Sequence, residues 1–264
     1  MNSRTLYLST TFLFLAFAMC ACGNKQPANS SEQPATTSGV PVDAATAGSV
    51  TGTVELNGMP PKMKNINMSA EAACAKQHTT PPTSQEVVAG KGGSLENVVV
   101  YLKGDFTKYK FAAPSGPSTI TQKGCMYDPH VVAVETDQSL QVVNADPVTH
   151  NIHPLPKDNR EWNESQPPGA APIDRMFTHE EIAIPVKCNI HPWMKSYIAV
   201  FDNPYFAVTG PDGSFDLKNV PPGSYTLVAW HELYGTSEQP VTISPKESKT
   251  MKVVFQATPA GHTS

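Results

Sequence analysis

The stretch IPVKCNIHPWMKSYIAV, Ile184–Val200, sets two β-rich ends around a short loop that carries Cys188, His191 and Met194 in the spacing C-x2-H-x2-M. Upstream, VVNADPVTHNIHP, Val142–Pro154, supplies His150 just after a strand that ends at Asn144. Two neighbouring loops thus offer one thiolate, two imidazoles and one thioether. Soft thiolate favours Cu(I) and imidazole suits both oxidation states, so a trigonal His2Cys site with a weak axial Met lies between the geometries each state prefers. Little atomic movement then accompanies gain of an electron. A catalytic metal needs an open position for water or substrate, whereas four protein ligands leave none. The plainer readings are a buried Cys and Met beside surface histidines, or a structural zinc site, for which Met is a poor ligand. His153 is a substitute ligand or a neighbour of the site. Trp193 either packs on the sheet or rims His191 where a partner docks.

Outward from these segments nearly everything reads as β. Runs rich in Val, Ile and aromatics at Asn97–Leu102, Val131–Glu135, Ser139–Val143, Ile182–Lys187 and Tyr197–Phe201 are separated by Gly, Pro, Asn or Asp. Ser49–Leu56 alternates toward the Asn57-Gly58 pair, which predicts a strand opening a hairpin, with Gly52 marking a bulge or a close backbone approach. One short helix is expected over Ala70–Lys76, capped by Ser69. Asp158–Pro172 has no period and reads as an irregular loop. The last 60 or so residues read as a β-meander with turns at Pro211-Asp212-Gly213 and Pro221-Pro222-Gly223.

Composition agrees with this reading and removes other classes. Charged residues make up 16 % of 264, against 17 Gly and 25 Pro, which favours a turn-rich β protein and excludes a helical bundle or coiled coil. A net charge of −4 gives no basic field for a phosphate backbone, so nucleic acid is not an expected partner. No Ser-His-Asp arrangement, paired carboxylates or Gly-rich phosphate loop is found, and an enzyme is not expected. Glu71, Glu180 and Glu181 read as solvated charges, and His130 and His231 as packing residues.

The segment from about residue 119 to 201 resembles the cupredoxins, the type 1 blue copper proteins of the amicyanin and plastocyanin kind, through the short Cys-x2-His-x2-Met loop with Pro192 after the His and through the His150-Asn151 context. The resemblance implies a Greek-key β-sandwich and one copper ion held by His150, Cys188, His191 and Met194. It further implies that Asn151 donates to the thiolate and that the edge of His191 nears the surface. An electron carrier of this kind meets its redox partners through small, transient contacts, below about 1,200 Å². GSVTGTVELNGMPP, Gly48–Pro61, resembles the beginning of a carboxypeptidase regulatory-like (transthyretin-like) domain, and GPDGSFDLKNVPPGSYTLVAWH, Gly210–His231, resembles its end. The expected organisation is therefore all-β: residues 48–118 and 202–264 as two halves of one sandwich, with a copper module at 119–201 inserted in it or joined to it.

The amino terminus carries Arg4 and an apolar run from Leu6 to Met19, too short to span a bilayer and suited to an export signal. Its end, Met19-Cys20-Ala21-Cys22, resembles the bacterial lipoprotein box. Cys22, preceded by Ala21, is the expected lipidation site, which gives a signal over 1–21 and a periplasmic or envelope location with a lipid as the only membrane attachment. Residues 22–47 lack the apolar content to fold and read as a tether. With Cys20 and Cys22 set aside, Cys74, Cys125 and Cys188 remain of the five cysteines. Cys74 and Cys125 are free to pair in an oxidising compartment, leaving Cys188 for the metal, although sequence leaves open that Cys74 stays free. Two rival functions share these features: copper delivery with the same ligands, and an adhesive or carbohydrate-binding surface module with a structural metal.

Overall fold

The computed structural model describes residues 39–257; the expected export signal, the expected lipidation site Cys22 and most of the expected tether lie outside the described residues. Two β-sandwiches account for most of the described chain; contrary to the tether expected over 22–47, Val40–Pro41 forms a short parallel pair with Tyr109–Lys110. In the first, a five-stranded sheet runs in the order Glu164–Gln166, His150–Pro154, Glu181–Lys187, Lys195–Phe201, Val131–Glu135. It faces a four-stranded sheet ordered Ile173–Arg175, Leu140–Asn144, Ser118–Lys123, Met126–Asp128. Ile120, Leu140, Val142, Ile152, Ile184 and Ile198 fill the space between them. In the second, Phe206–Val208, Val99–Lys103, Gly223–His231 and Gly235–Ile243 form one sheet, and Ser214–Val220, Gly48–Asn57 and Ser248–Gln256 the other. Val50, Val54, Leu95, Phe215, Leu227 and Phe255 are in its core. Among the described residues, helical structure is confined to Ala72–Ala75 and one 3-10 turn at Lys91–Gly93, and no helix there is long and apolar enough to cross a membrane.

The run Tyr197–Phe201 shows why this sequence stacks the two sandwiches. Side chains alternate across a strand, so a strand that is apolar at every position must be covered on both faces. Ile198 and Val200 point into the first core, whereas Ala199 and Phe201 join a separate cluster with Val99 and Val131. Val99 lies on the second sandwich, where its neighbours Val98 and Val100 turn inward. The five-stranded sheet therefore packs its back on a sheet of the other sandwich, through Phe201, Tyr101 and Phe206, with ring centroids 4.6 to 5.0 Å from Phe201.

Several local expectations are corrected. Gly48–Asn57 opens no hairpin at Asn57-Gly58; it is the middle strand between antiparallel Ser214–Val220 and parallel Ser248–Gln256. Gly52 marks a close approach, since a Cβ there would stand 1.9 Å from the Met251 carbonyl oxygen. The helix is one turn, capped by the Glu71 carboxylate rather than by Ser69. Within Asp158–Pro172, Glu164–Gln166 is a strand paired with His150–Ile152. The terminal meander is broken at Pro221-Pro222-Gly223, which passes the chain from one sheet to the other; only Gly223–His231 and Gly235–Ile243 form a hairpin. Glu181 is buried rather than solvated and accepts from the amides of Lys157, Asp158 and Asn159.

Candidate metal centre

His150 opens its strand at the edge of the first core, and Cys188, His191 and Met194 lie on the seven-residue link between Glu181–Lys187 and Lys195–Phe201. This link closes on itself: the Cys188 amide donates to the Met194 carbonyl at 3.2 Å, and the Met194 amide to the His191 carbonyl at 2.9 Å. All four side chains are buried, His150 completely and the others at 1 to 2 % exposure. The His150 and His191 Nδ1 atoms face each other at 2.9 Å, with Cys188 Sγ 3.7 Å from His191 Nδ1. Ligands about 2.0 to 2.3 Å from one ion stand roughly 3 to 4 Å apart, which is the spacing observed.

The outer sides of the two imidazoles define their tautomers. His150 Nε2 lies 2.8 Å from Asp146, whose carboxylate also accepts from the amides of Gly124 and Cys125 at 2.7 Å each. A carboxylate acceptor at Nε2 fixes the proton there and turns a lone pair on Nδ1 inward. His191 Nε2 faces the Cys74 sulfur at 3.7 Å. With both outer nitrogens protonated, two lone pairs and a thiolate converge on one buried point, an arrangement that a cation satisfies and that is unfavourable without one. Two histidines and a thiolate suit copper or zinc, so the residues present fit the ion implied by the resemblance.

Electrostatics favour the thiolate at Cys188 and a second proton on His150, for which a cation at Nδ1 would compete. Burial pushes the Cys188 thiol up, but the hydrogen bond to His150 and the backbone amides of Asn151, His191 and Ile190 outweigh it and leave its pKa lowered. Burial likewise opposes the charged form of His150, yet the bonds to Asp146 and Cys188 hold its pKa above the ordinary value. His191 is lowered by burial and by the neighbouring charge of His150.

The other sequence candidates fall into place around this point, with two corrections. Asn151 does not donate to sulfur from its side chain: Oδ1 accepts from the Asn189 amide at 2.6 Å and lies 3.3 Å from Cys188 Sγ, while Nδ2 donates to Asn163. Its backbone amide favours the thiolate instead. The edge of His191 does not near the surface, because Cys74, disulfide-bonded to Cys125, covers Nε2. His153 faces away from the ligands and is held by Glu161 and Asn189. Trp193 packs on His191, ring centroids 5.1 Å apart, and donates from Nε1 to the Cys125 carbonyl at 3.0 Å. Sequence reasoning missed Asp146 and Tyr127. The Tyr127 hydroxyl donates to the carbonyls of Asn151 and Lys187, tying together the backbone beside two of the ligands. The Asp146-x3-His150 spacing was visible in the sequence, but nothing there placed Cys125 against it.

The fold and site define an all-β protein of two stacked sandwiches with a buried His2Cys centre at one end of the first. Among family models, that of polysaccharide lyase family 4, domain II, matches residues 193–251, largely on the second sandwich, where the sequence had suggested a carboxypeptidase regulatory-like domain. No curated protein matches the chain. Similar solved structures include a copper-containing nitrite reductase from Thermus scotoductus, with 19 % identity over 36 % of this chain and a TM-score of 0.32. This chain spans about a quarter of that enzyme's length, 24 %. A purple cupredoxin from Nitrosopumilus maritimus is 18 % identical over 31 % of this chain and 98 % of its own, with a TM-score of 0.27. A Cu(I) structure of an amicyanin point mutant is 16 % identical over 34 % of this chain and 85 % of its own, with a TM-score of 0.29.

Proposed function

We propose that this chain is a cupredoxin-type copper protein that passes single electrons between redox partners in the bacterial envelope. The observation that carries the reading is the convergence of His150 Nδ1, His191 Nδ1 and Cys188 Sγ in a site closed to water. Bound there, copper would supply one-electron exchange between Cu(I) and Cu(II). The chain's own residues hold the donors still while that happens. Asp146 anchors His150, Tyr127 and Asn151 fix the backbone flanking His150 and Cys188, and Met194, buried on the same closed loop, would offer its thioether as a weak fourth ligand. This rigidity suits a carrier better than a delivery protein, whose ligands must let the metal go. Exposed Ile190 and Pro192 beside the site suit a small contact with transient partners. The second sandwich, paired back to back with the first, serves as its support.

The test is spectroscopic. The mature protein loaded with Cu(II) shows an intense visible thiolate-to-copper band, and Cys188→Ser abolishes it; a colourless loaded wild type rejects the reading. Export and a lipid on Cys22 complete the proposal, supported by the Leu6–Met19 run and the Ala21-Cys22 pair. Accordingly, Cys22→Ser moves the protein from the membrane fraction to the soluble fraction of an expressing bacterium, and equal partition of the two forms argues against the anchor.

A further inference from the structure

An electron carrier needs a group that couples its buried ion to the surface. His191 is 2 % exposed, and its outer nitrogen is stopped by the Cys74 sulfur, itself fully buried. Of His150, Cys188, Cys74 and Trp193, which all lie against His191, only Trp193 reaches solvent. Its ring is tilted 46° to the imidazole and lies along a surface cleft of 290 Å³ that is also lined by Ile66, Glu86, Pro192 and Lys195. The bond from Nε1 to the Cys125 carbonyl holds the indole in that position.

We propose that Trp193 is the electron port: on the reading given above, an electron travels between His191 and an outside redox partner through the indole ring. In the outward step one electron leaves Cu(I), which becomes Cu(II), and reaches a one-electron outer-sphere acceptor. Trp193 is neither oxidised nor reduced on balance, and no bond forms or breaks. Because the disulfide has closed the imidazole edge, the adjacent aromatic ring takes over the surface position.

The experiment compares wild type, Trp193→Phe and Trp193→Leu, with Trp193→Met as a second non-aromatic filling should the Leu variant not fold. Each is loaded with copper, and its oxidation is followed with one anionic and one cationic outer-sphere metal complex. All these substitutions are neutral, so charge steering is constant across the series. The expected result is a rate constant about tenfold lower with Leu or Met and close to wild type with Phe, for both complexes, while visible band and reduction potential stay in place. In the metal-free protein, acrylamide quenches a component of tryptophan emission that is missing from Trp193→Phe. A rate unchanged in the Leu and Met variants overturns the proposal. So does a lower rate that accompanies a displaced band or potential, since the indole is then a positioning group only, and so does Trp193 emission that acrylamide cannot reach. Absence of the band in loaded wild type instead removes the copper reading itself.

Discussion

At the residue scale the candidate metal centre depends on which nitrogen of each histidine carries a proton, and Asp146 orients His150 through Nε2. Its two oxygens accept from three donors: the Gly124 amide, the Cys125 amide and His150 Nε2. In Asp146→Asn one oxygen becomes an NH2 group, and whichever way the amide is turned that group meets a donor. Metal affinity should fall by about 10- to 100-fold, measured by competition with a chelator, and an unchanged affinity refutes the role. His231 gives a second prediction at this scale, in the other sandwich. It is 1 % exposed, and its Nδ1 accepts from the amides of Leu233 and Tyr234. Burial first, then the nearby His130, pushes its pKa down to about 4 from 6.5, against the pull of Glu232. The unfolded chain therefore binds the proton more readily. The stabilising contribution is complete above the unfolded value and is lost as pH falls from about 6.5 to about 4, up to about 3 kcal/mol. Urea unfolding of wild type and His231→Asn at several pH values isolates this part: the difference in stability between them should shrink across that window, and a constant difference argues against it. The ligand candidates were legible in the sequence because three share one loop of seven residues and copper chemistry restricts the residue types. Asp146, Tyr127 and the capping Cys74 were not, since their roles arise from register and from a crosslink spanning 51 positions.

At the element scale the least regular segment does the closing. Between the strand ending at Asn57 and the one beginning at Val99 the chain has a single helical turn and one 3-10 turn, too little hydrogen bonding to fix a cover by itself. The Cys74–Cys125 disulfide supplies what the helix lacks, holding Ala72–Ala75 over His191, while Gln77 and His78 bond the Gly124-Cys125 turn. Closing a loop of 51 residues removes unfolded-state entropy worth about 4 kcal/mol. Replacing both cysteines with Ala should lower the unfolding free energy measured in urea by an amount of that order. In the metal-free protein it should also make His191 reactive toward diethylpyrocarbonate, a modification read by peptide mass. Full protection of His191 in that variant would show that the segment stays seated without its crosslink. The long strands were legible here: Val131–Glu135 occupies the residues read from its Val-rich composition, and the strands at Val99, Leu140, Glu181 and Lys195 fall within two residues of expectation. What misled were turns, because a Pro-Pro-Gly sequence bends the chain equally well whether the next strand pairs beside the last or crosses to the facing sheet. Only the packing of Phe215 and Leu217 against Val50 and Val253 decides between them.

For the molecule as a whole, the two cores share one wall. Val131, Ala199 and Phe201 on the first sandwich meet Val99 on the second, with Tyr101, Tyr197 and Trp230 around them, so each strand of this junction is covered on both sides. The direct link between the sandwiches, from Phe201 to Phe206, is too short to let them separate far, and Tyr205 within it is buried in the second core. Cooperative unfolding in one step is expected when such a junction is apolar and continuous, because neither sheet can lose its cover without exposing the other. The candidate ligands belong to the opposite face of the same sheet, where Ile198 and Val200 accompany Cys188 and Met194. Disturbing the junction should therefore separate two properties, coupling between sandwiches and integrity of the site. Ala199, 1 % exposed, is the place to do it, since Asp there buries an unpaired charge without removing core volume. Calorimetry of wild type should give one transition, with equal calorimetric and van't Hoff enthalpies. Ala199→Asp should give two, the one retaining the metal-dependent shift being assigned to residues 118–201. A single transition in the variant, lowered but undivided, would mean that the covalent links and not this wall make the molecule unfold as one.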